Sequence, residues 1–370
     1  MKSLRDYRIR AGLTQEEFAE QAQIRVATIS SLENGKSQPR KATLEKLAKA
    51  LKIKPEDLAT AMRADQAEEK QGIIQQVEGD WLFLKGLDKD LRTGLAQSLV
   101  AEWTHSSTAL EGNTISAGDT LFILTEGLTI NGKSLKEHQE IHGHAKALAL
   151  MSQWVKSDLP LRIELLHQLH RSVQTQSVVD MYQPLGSWKV EPNGTMVMSS
   201  NGKTSWHEYT LPKNVPPLIK IWLKIITQHN AESRRITKSK SKSGEEKTTP
   251  LNLNNDHIKT LIKAYTDIHL GFVAIHPYAD GNGRLARLVA NIPILRAGLP
   301  PLLISKESRR TYINLLGDYT LTIGQITPKR NITKRGKEYN ALKQFFLTEW
   351  QESLDIVNDF HEKQRIRDKK

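Results

Sequence analysis

From Ile258 to Val273 apolar side chains recur every three or four positions, at Ile258, Leu261, Ile262, Tyr265, Ile268, Phe272 and Val273. A second series, Leu285, Leu288, Val289 and Ile292, begins only after Pro277, Gly281 and Gly283 have interrupted the first. Such spacing lays the apolar groups on one face of a helix, and proline with paired glycines stops it. The chain must therefore turn sharply between two buried helices. That turn reads HPYADGNGRLAR, residues 276–287, and it is dense in groups that bind anions and move protons.

The glycines flanking Asn282 let successive backbone N–H groups converge, and the helix that follows adds its positive end; together they make an anion nest of Gly281, Asn282 and Gly283. Arg284 and Arg287 stand three apart, so both guanidinium groups share a helix face beside the nest. This layout suits a polyphosphate better than a single phosphate. Asp280 supplies the hard oxygen ligand that a magnesium ion between phosphates needs. His276 lies across the loop, where a neutral imidazole can take the proton of an attacking hydroxyl. Taken singly, a histidine before proline or an Asn-Gly pair is most often structural. Two glycines, a carboxylate and two arginines crowded into one short segment call for a common cause. No Walker-type GxxxxGK[ST] surrounds the segment and no kinase HRD or DFG pair occurs, which disfavours a kinase or phosphohydrolase.

Helical spacing also marks Leu95 to Trp103, Leu135 to Trp154, Arg162 to Val173 and Val215 to Gln228. Two alternating stretches, Thr195 to Ser199 and Thr204 to Tyr209, flank Asn201-Gly202, a dipeptide that favours a β-hairpin. Such a hairpin is marginal alone and must lie against helices. Residues 231–250, which include ESRRITKSKSKSGEEKTTP, are short of large apolar groups and are expected as a mobile loop. Residues 59–75 are expected as a helical connector, and HEKQRIRDKK at the end as a solvated basic tail.

The 370-residue chain has no cysteine, which excludes disulfides and thiolate metal sites. Its N-terminal MKSLRDYRIRAG is followed by no apolar run, and no window approaches the roughly eighteen apolar residues of a membrane span, so a cytoplasmic protein is expected. A formal net charge of +12 favours an anionic partner.

Residues 4–58 read as a compact bundle of short helices. Thr14 and Glu17 form a capping box ahead of Phe18 and Ala19. A second helix, about Arg25 to Glu33, aligns Ile29 with Leu32 and is expected to end at Asn34-Gly35. LTQEEFAEQAQIRVATISSLENGKSQP resembles the repressor-type helix-turn-helix of phage and bacterial regulators. That resemblance implies double-stranded DNA as a partner, with Gln15, Arg25, Val26, Thr28 and Ser30 facing phosphates or base edges. The sequence departs from it where Gln23 replaces the frequent turn glycine and Arg25 the frequent serine cap.

The 276–287 segment resembles the signature of the Fic family, whose members move AMP from ATP to serine, threonine or tyrosine hydroxyls of target proteins; the resemblance spans about residues 90–320. It implies that His276 accepts the proton, Asp280 holds Mg2+, the Gly281–Gly283 nest and Arg284 hold the bound phosphates of ATP, and Arg287 meets the terminal phosphate. It also implies that residues 195–209 are a flap that aligns a target segment by strand pairing. Tyr278 stands where the family commonly has phenylalanine, so its hydroxyl needs a partner, and Pro293 should bend or end the helix after the nest.

STALEGN, residues 107–113, puts Ser107 and Glu111 one helical turn apart with Gly112 as a stop. By itself Glu111 is simply a helix-end carboxylate. The stretch also resembles the family's inhibitory helix, which implies that Glu111 pairs with Arg287 and restrains transfer; in some members such a glutamate instead helps remove AMP. The expected architecture is all-α: a helix-turn-helix head (1–66), a helical connector (67–90), a Fic core with a β-hairpin flap and an inhibitory helix around 103–111 (91–325), and a basic extension (326–370). Expected partners are a hydroxyl-bearing protein, DNA and a second copy in a homodimer, without a membrane. The expected location is the bacterial cytoplasm, with association with the nucleoid. The alternative function is a DNA-binding transcription regulator whose Fic domain senses nucleotide or removes AMP from modified protein.

Overall fold

The computed structural model describes residues 4, 7, 8, 11, 13–33, 39–59, 81–157, 159–174, 184–242 and 255–369. The chain divides into two compact units, 1–72 and 73–370. It is predominantly helical with one two-stranded antiparallel sheet among the described residues.

The first unit contains α1 (Gln15–Ala22), α2 (Val26–Glu33) and α3 (Lys41–Ala50). The expected capping box opens α1: the Thr14 hydroxyl accepts from Glu17 N at 3.1 Å and the Glu17 carboxylate accepts from Thr14 N at 2.7 Å. Gln23 ends α1 in the left-handed conformation (φ 52°, ψ 50°), taking without a glycine the backbone shape that the turn requires. Phe18, Ala22, Ile29, Leu32, Leu47 and Leu58 form the core. The helix end expected at Asn34-Gly35 lies outside the described residues, as do residues 60–80 of the connector expected over 59–75 and 67–90; beyond them a 3-10 turn at Leu82–Leu84 precedes the next helix, which begins at Lys89.

The second unit is built on α9 (Asn255–Ile275), whose residues from Tyr265 to Ile275 are all buried. Around it lie α4 (Lys89–Ala109), α5 (Ala117–Glu126), α6 (Leu135–Lys156), α7 (Ile163–Val173), the hairpin β1 (Gly194–Met198) and β2 (Thr204–Glu208), and α8 (Val215–Lys242). The chain then continues through α10 (Asn282–Ala290), α11 (Ile292–Arg296), α12 (Arg309–Ile323) and α13 (Lys337–Asp368). α9 packs on α8, α10 and α13, while α4 and α7 both reach α10. Trp222 on α8 lies on α9, its indole N–H donating to Ile268 O at 2.9 Å. The hairpin pairs Thr195 with His207, Met196 with Trp206 and Val197 with Ser205. It rests on α12, where Asp318 accepts from Ser200 N at 3.0 Å.

Two expectations are corrected. The loop expected over 231–250 is helix as far as Lys242, because α8 continues past Gln228: Ile236 is buried, and His229 and Ser233 point inward. Residues 243–250 lie outside the described residues. The basic extension expected over 326–370 contains α13, whose Leu342, Phe346, Trp350 and Val357 form a buried stripe against the core. Charge on its outer face had concealed that stripe. The chain breaks at Asn291 before Pro293, as the missing proline N–H requires.

Trp350 is fully buried and its indole N–H donates to Pro300 O at 2.9 Å. Trp350→Ala is expected to destabilise the protein by about 3–5 kcal/mol, measured by urea unfolding. A loss below about 1 kcal/mol would mean that α13 does not belong to the cooperative core.

Candidate active site

Residues 276–281 connect the end of α9 to the start of α10. His276 adopts φ 49°, a left-handed conformation rare for a non-glycine residue. Surrounding bonds impose it: His276 N donates to Phe272 O at 2.9 Å, and Lys189 N donates to Pro277 O at 3.0 Å. Asn282 closes the loop from the other side. Its Nδ2 donates to Tyr278 O at 2.8 Å and its Oδ1 accepts from Tyr278 N at 3.0 Å. Gly281, at φ 75°, caps α10 without a side chain, so the first N–H groups of that helix remain directed at the mouth of the nest.

The His276 ring stacks on Tyr209 at the end of the flap, with ring centroids 3.6 Å apart and planes 9° from parallel. Desolvation, assisted by the Lys189 ammonium, pushes its pKa down to about 3, so the imidazole is neutral at physiological pH. Burial also brings Lys189 down to about 8. Its ammonium donates to Asn193, whose own amide donates to Tyr278 O at 3.0 Å. The base of the flap is thus bonded directly to the 276–281 loop.

Tyr278 is wholly buried and its hydroxyl finds the partner it needs, His167 Nδ1, at 3.0 Å. Its ring stacks on His170 at a 3.8 Å centroid distance. Gly186 N donates to His170 Nδ1, so the proton sits on Nε2 and is donated to Asp280 O at 3.0 Å. The Asp280 carboxylate is 62% exposed. Partial burial opposes its charge, but bonds from Gln174 and Gly281 N–H and the nearby Arg284 outweigh that and hold its pKa below the usual range. A solvent-facing, ionised carboxylate beside an anion nest fits a magnesium ion shared with phosphates.

Arg284 and Arg287 are both buried and turn to different helices. Arg284 donates to Val173 O at 2.6 Å and to Gln174 Oε1 at 2.7 Å, both at the C-terminal end of α7, where helix carbonyls favour a cation. Arg287 donates from Nη2 to Ser107 O at 2.9 Å and to Glu111 Oε1 at 2.7 Å, with Nε reaching Ser107 Oγ at 3.4 Å. α4 ends at Ala109, and Glu111 lies in the turn that follows, before Gly112. A Cβ on Gly283 would stand 2.8 Å from Glu111 Oε1 and 3.2 Å from Arg287 Nη1, so any side chain there would push the ends of this ion pair aside. The Glu111 carboxylate therefore occupies the rim of the nest itself.

The sequence-derived residues His276, Asp280, Gly281, Asn282, Gly283, Arg284, Arg287, Ser107 and Glu111 come together at this one place. Asn282 contributes its side chain to the loop rather than to the cavity. Gln174, which bridges Asp280 and Arg284, was not singled out from sequence; it lies over a hundred positions away from both, and no motif marks it. In the first unit Arg25 and Val26 are exposed at the start of α2, and Thr28 and Ser30 are half-buried. Gln15 donates to Glu33 at 2.7 Å, beside the Arg8–Glu33 ion pair.

Comparison with known proteins agrees with this division. Residues 4–58 match the helix-turn-helix family and residues 160–294 the Fic/DOC family, so the chain joins an N-terminal helix-turn-helix domain to a Fic domain. The curated relatives include protein adenylyltransferase fic-1 of Caenorhabditis elegans, 28% identical over 229 residues, covering 61% of this chain and 37% of the relative. They also include protein adenylyltransferase Fic of Drosophila melanogaster, 28% identical over 214 residues, covering 57% of this chain and 36% of the relative. The chain thus spans just over a third of the length of these relatives. Among solved structures, a Fic domain containing signaling protein from Bacteroides thetaiotaomicron superposes with a TM-score of 0.55 at 24% identity, covering 78% of this chain and 97% of that one. A Fic-1 fragment from C. elegans superposes at 0.51 with 19% identity, covering 97% of this chain and 91% of that one. Both likenesses concern the fold.

Burial holds His144, His269 and His276 down to about 3, and His167 and His170 down to about 4. The unfolded chain protonates the same rings near pH 6.5, so between about pH 6.5 and about pH 3 it binds more protons than the folded chain. The stability these neutral rings confer is complete above that window and is lost as pH falls through it. The urea midpoint should drop on going from about pH 7.5 to about pH 5. An unchanged midpoint would mean the rings are not desolvated.

Proposed function

We propose that the chain is a protein adenylyltransferase that transfers AMP from ATP to a Ser, Thr or Tyr hydroxyl of a target protein and is restrained by its own Glu111. The observation that carries this is the convergence, on one anion nest, of a neutral imidazole, an exposed carboxylate and two buried guanidinium groups, with Glu111 bonded to one of them at 2.7 Å.

In this reading the backbone N–H groups at the start of α10 and Arg284 bind the phosphates of ATP. His276 takes the proton of the target hydroxyl as its oxygen forms a bond to the α-phosphorus, and the bond from that phosphorus to the leaving pyrophosphate oxygen breaks. Asp280 would hold Mg2+, which neutralises charge on the phosphate oxygens. The stack of Tyr209 on His276 ties the flap to the base, so a target segment laid along the flap brings its hydroxyl to the imidazole.

Glu111 opposes this at one point. It occupies Arg287 and puts a negative charge at the rim where the terminal phosphate would lie. ATP that enters beside it is held with its α-phosphate out of line for attack. The 41% exposure of the Glu111 side chain supports a second reading, in which the same carboxylate orients a water for removal of AMP from a modified target.

The head is assigned to double-stranded DNA, with Arg25 on a phosphate and α2 in a major groove. Paired heads on a two-fold symmetric site imply a homodimer on DNA. No helix among the described residues is long and apolar enough to cross a membrane.

With α-labelled ATP, Mg2+ and lysate protein as acceptor, Glu111→Gly is expected to raise label transfer by at least roughly tenfold, equivalent to about 1.4 kcal/mol of barrier. Adding His276→Ala should abolish it. Equal transfer by wild type and Glu111→Gly would remove the restraint from the proposal, and label persisting without His276 would remove the general base. For the head, the log of DNA affinity should fall linearly with log salt, and Arg25→Ala should reduce that slope by about 1. A slope of zero in the full-length protein would exclude DNA as its partner.

A further inference from the structure

Gln174 stands between two groups that the proposed chemistry uses separately. Its Nε2 donates to Asp280 Oδ2 at 2.7 Å while its Oε1 accepts from Arg284 Nη2 at 2.7 Å. A carboxylate only accepts and a guanidinium only donates, so one orientation of the amide serves both partners and the reverse serves neither.

The fold commits this amide to its place. Gln174 is 7% exposed, its N–H donates to His170 O at 3.0 Å to finish α7, and its Oε1 lies 3.4 Å from where a Cβ on Gly281 would stand. The end of α7 therefore holds the loop at two levels: His170 takes the main-chain carbonyl of Asp280, and Gln174 takes its side chain. The other face of the Asp280 carboxylate stays open to solvent.

Without Gln174 the two charges would meet. Asp280 Oδ2 and Arg284 Nη2 already stand 3.9 Å apart, at the outer limit of an ion pair, and without the amide each would be the other's nearest replacement partner at hydrogen-bond distance. A carboxylate locked onto guanidinium gives up charge and lone pairs that a divalent cation needs. A guanidinium so engaged gives up donors that phosphates need.

We propose that Gln174 is a positioning residue, an amide spacer that keeps Asp280 and Arg284 from neutralising each other and so leaves the carboxylate free for the divalent cation of a nucleotide and the guanidinium free for its phosphates. This rests on the nucleotide-binding reading given above.

The test uses the full-length protein, Mn2+ as the cation and a non-hydrolysable ATP analogue, with free Mn2+ counted by its electron paramagnetic resonance signal. Gln174→Leu, apolar and similar in length, should weaken Mn2+ binding about tenfold or more, the scale on which groups hydrogen-bonded to a metal's ligands act. Gln174→Glu should act in the opposite direction. It still accepts from Arg284, adds a carboxylate beside the cation and keeps or tightens Mn2+ binding, while binding of the metal-free analogue weakens. A merely structural role would make both variants lose Mn2+ together, and that result overturns the spacer, as does wild-type Mn2+ affinity in a folded Gln174→Leu. Should Gln174→Leu fail to fold, the sign of the Gln174→Glu effect decides alone. If the wild type itself takes up no Mn2+ with the analogue, the nucleotide reading fails; failure of the spacer alone appears only against a binding wild type.

Discussion

Two hydrogen bonds between the Asn282 side chain and the main chain of Tyr278 close the loop on which every other feature of the site depends. The asparagine is 2% exposed, and without it a buried N–H would lose its partner, at a cost of about 1–3 kcal/mol. Held at that point, the loop cannot relax the left-handed backbone of His276, and the imidazole stays flat against Tyr209. The same closure starts α10 at Gly281, which aims its first N–H groups at the nest and places Arg284 and Arg287 on successive turns. His276, Asp280 and the N–H and guanidinium groups of α10 are thus fixed by the geometry of one short connection.

The two arginines illustrate how buried charge is kept compatible with exchange of partners. A guanidinium taken out of water needs acceptors in every state of the protein. Arg287 has Ser107 O at 2.9 Å whatever Glu111 does, so an incoming phosphate can replace the glutamate without leaving the cation bare. Arg284 likewise retains Val173 O. Each has a main-chain acceptor that is permanent, and at Arg287 the side-chain acceptor is one that can be exchanged.

Much of this was legible in the sequence because the residues concerned are neighbours. His276, Asp280, Gly281, Asn282, Gly283, Arg284 and Arg287 fall within one turn of chain whose flanking helices declare themselves by periodicity, and Asn201-Gly202 announces the hairpin. The pairing of Glu111 with Arg287 was reached only through resemblance to a family, since nothing local to Glu111 tells which cation it will meet. Gln174 was invisible for the same reason: an amide at a helix end acquires meaning only from what folds against it. The misjudged segments failed differently. In α13 the stripe of Leu342, Phe346, Trp350 and Val357 was present in the sequence but outnumbered by charges, and in α8 a single buried Ile236 carries the helix beyond its last obvious apolar turn. Composition weighs all residues equally, whereas a helix is held by the few that face inward.

The far end of α13 returns to the beginning of the second unit. His361 Nε2 lies 2.9 Å from Phe83 O, Gln364 Oε1 accepts from Asp88 N at 2.8 Å, and Arg367 is bidentate on Asp90 at 2.8 and 2.7 Å. Among the described residues of this unit, its first and last helical segments are therefore bonded to each other. Neither end can fray without disturbing the other. A permuted form of this unit, joined at this seam and opened at an exposed turn, would retain the same contacts around the site.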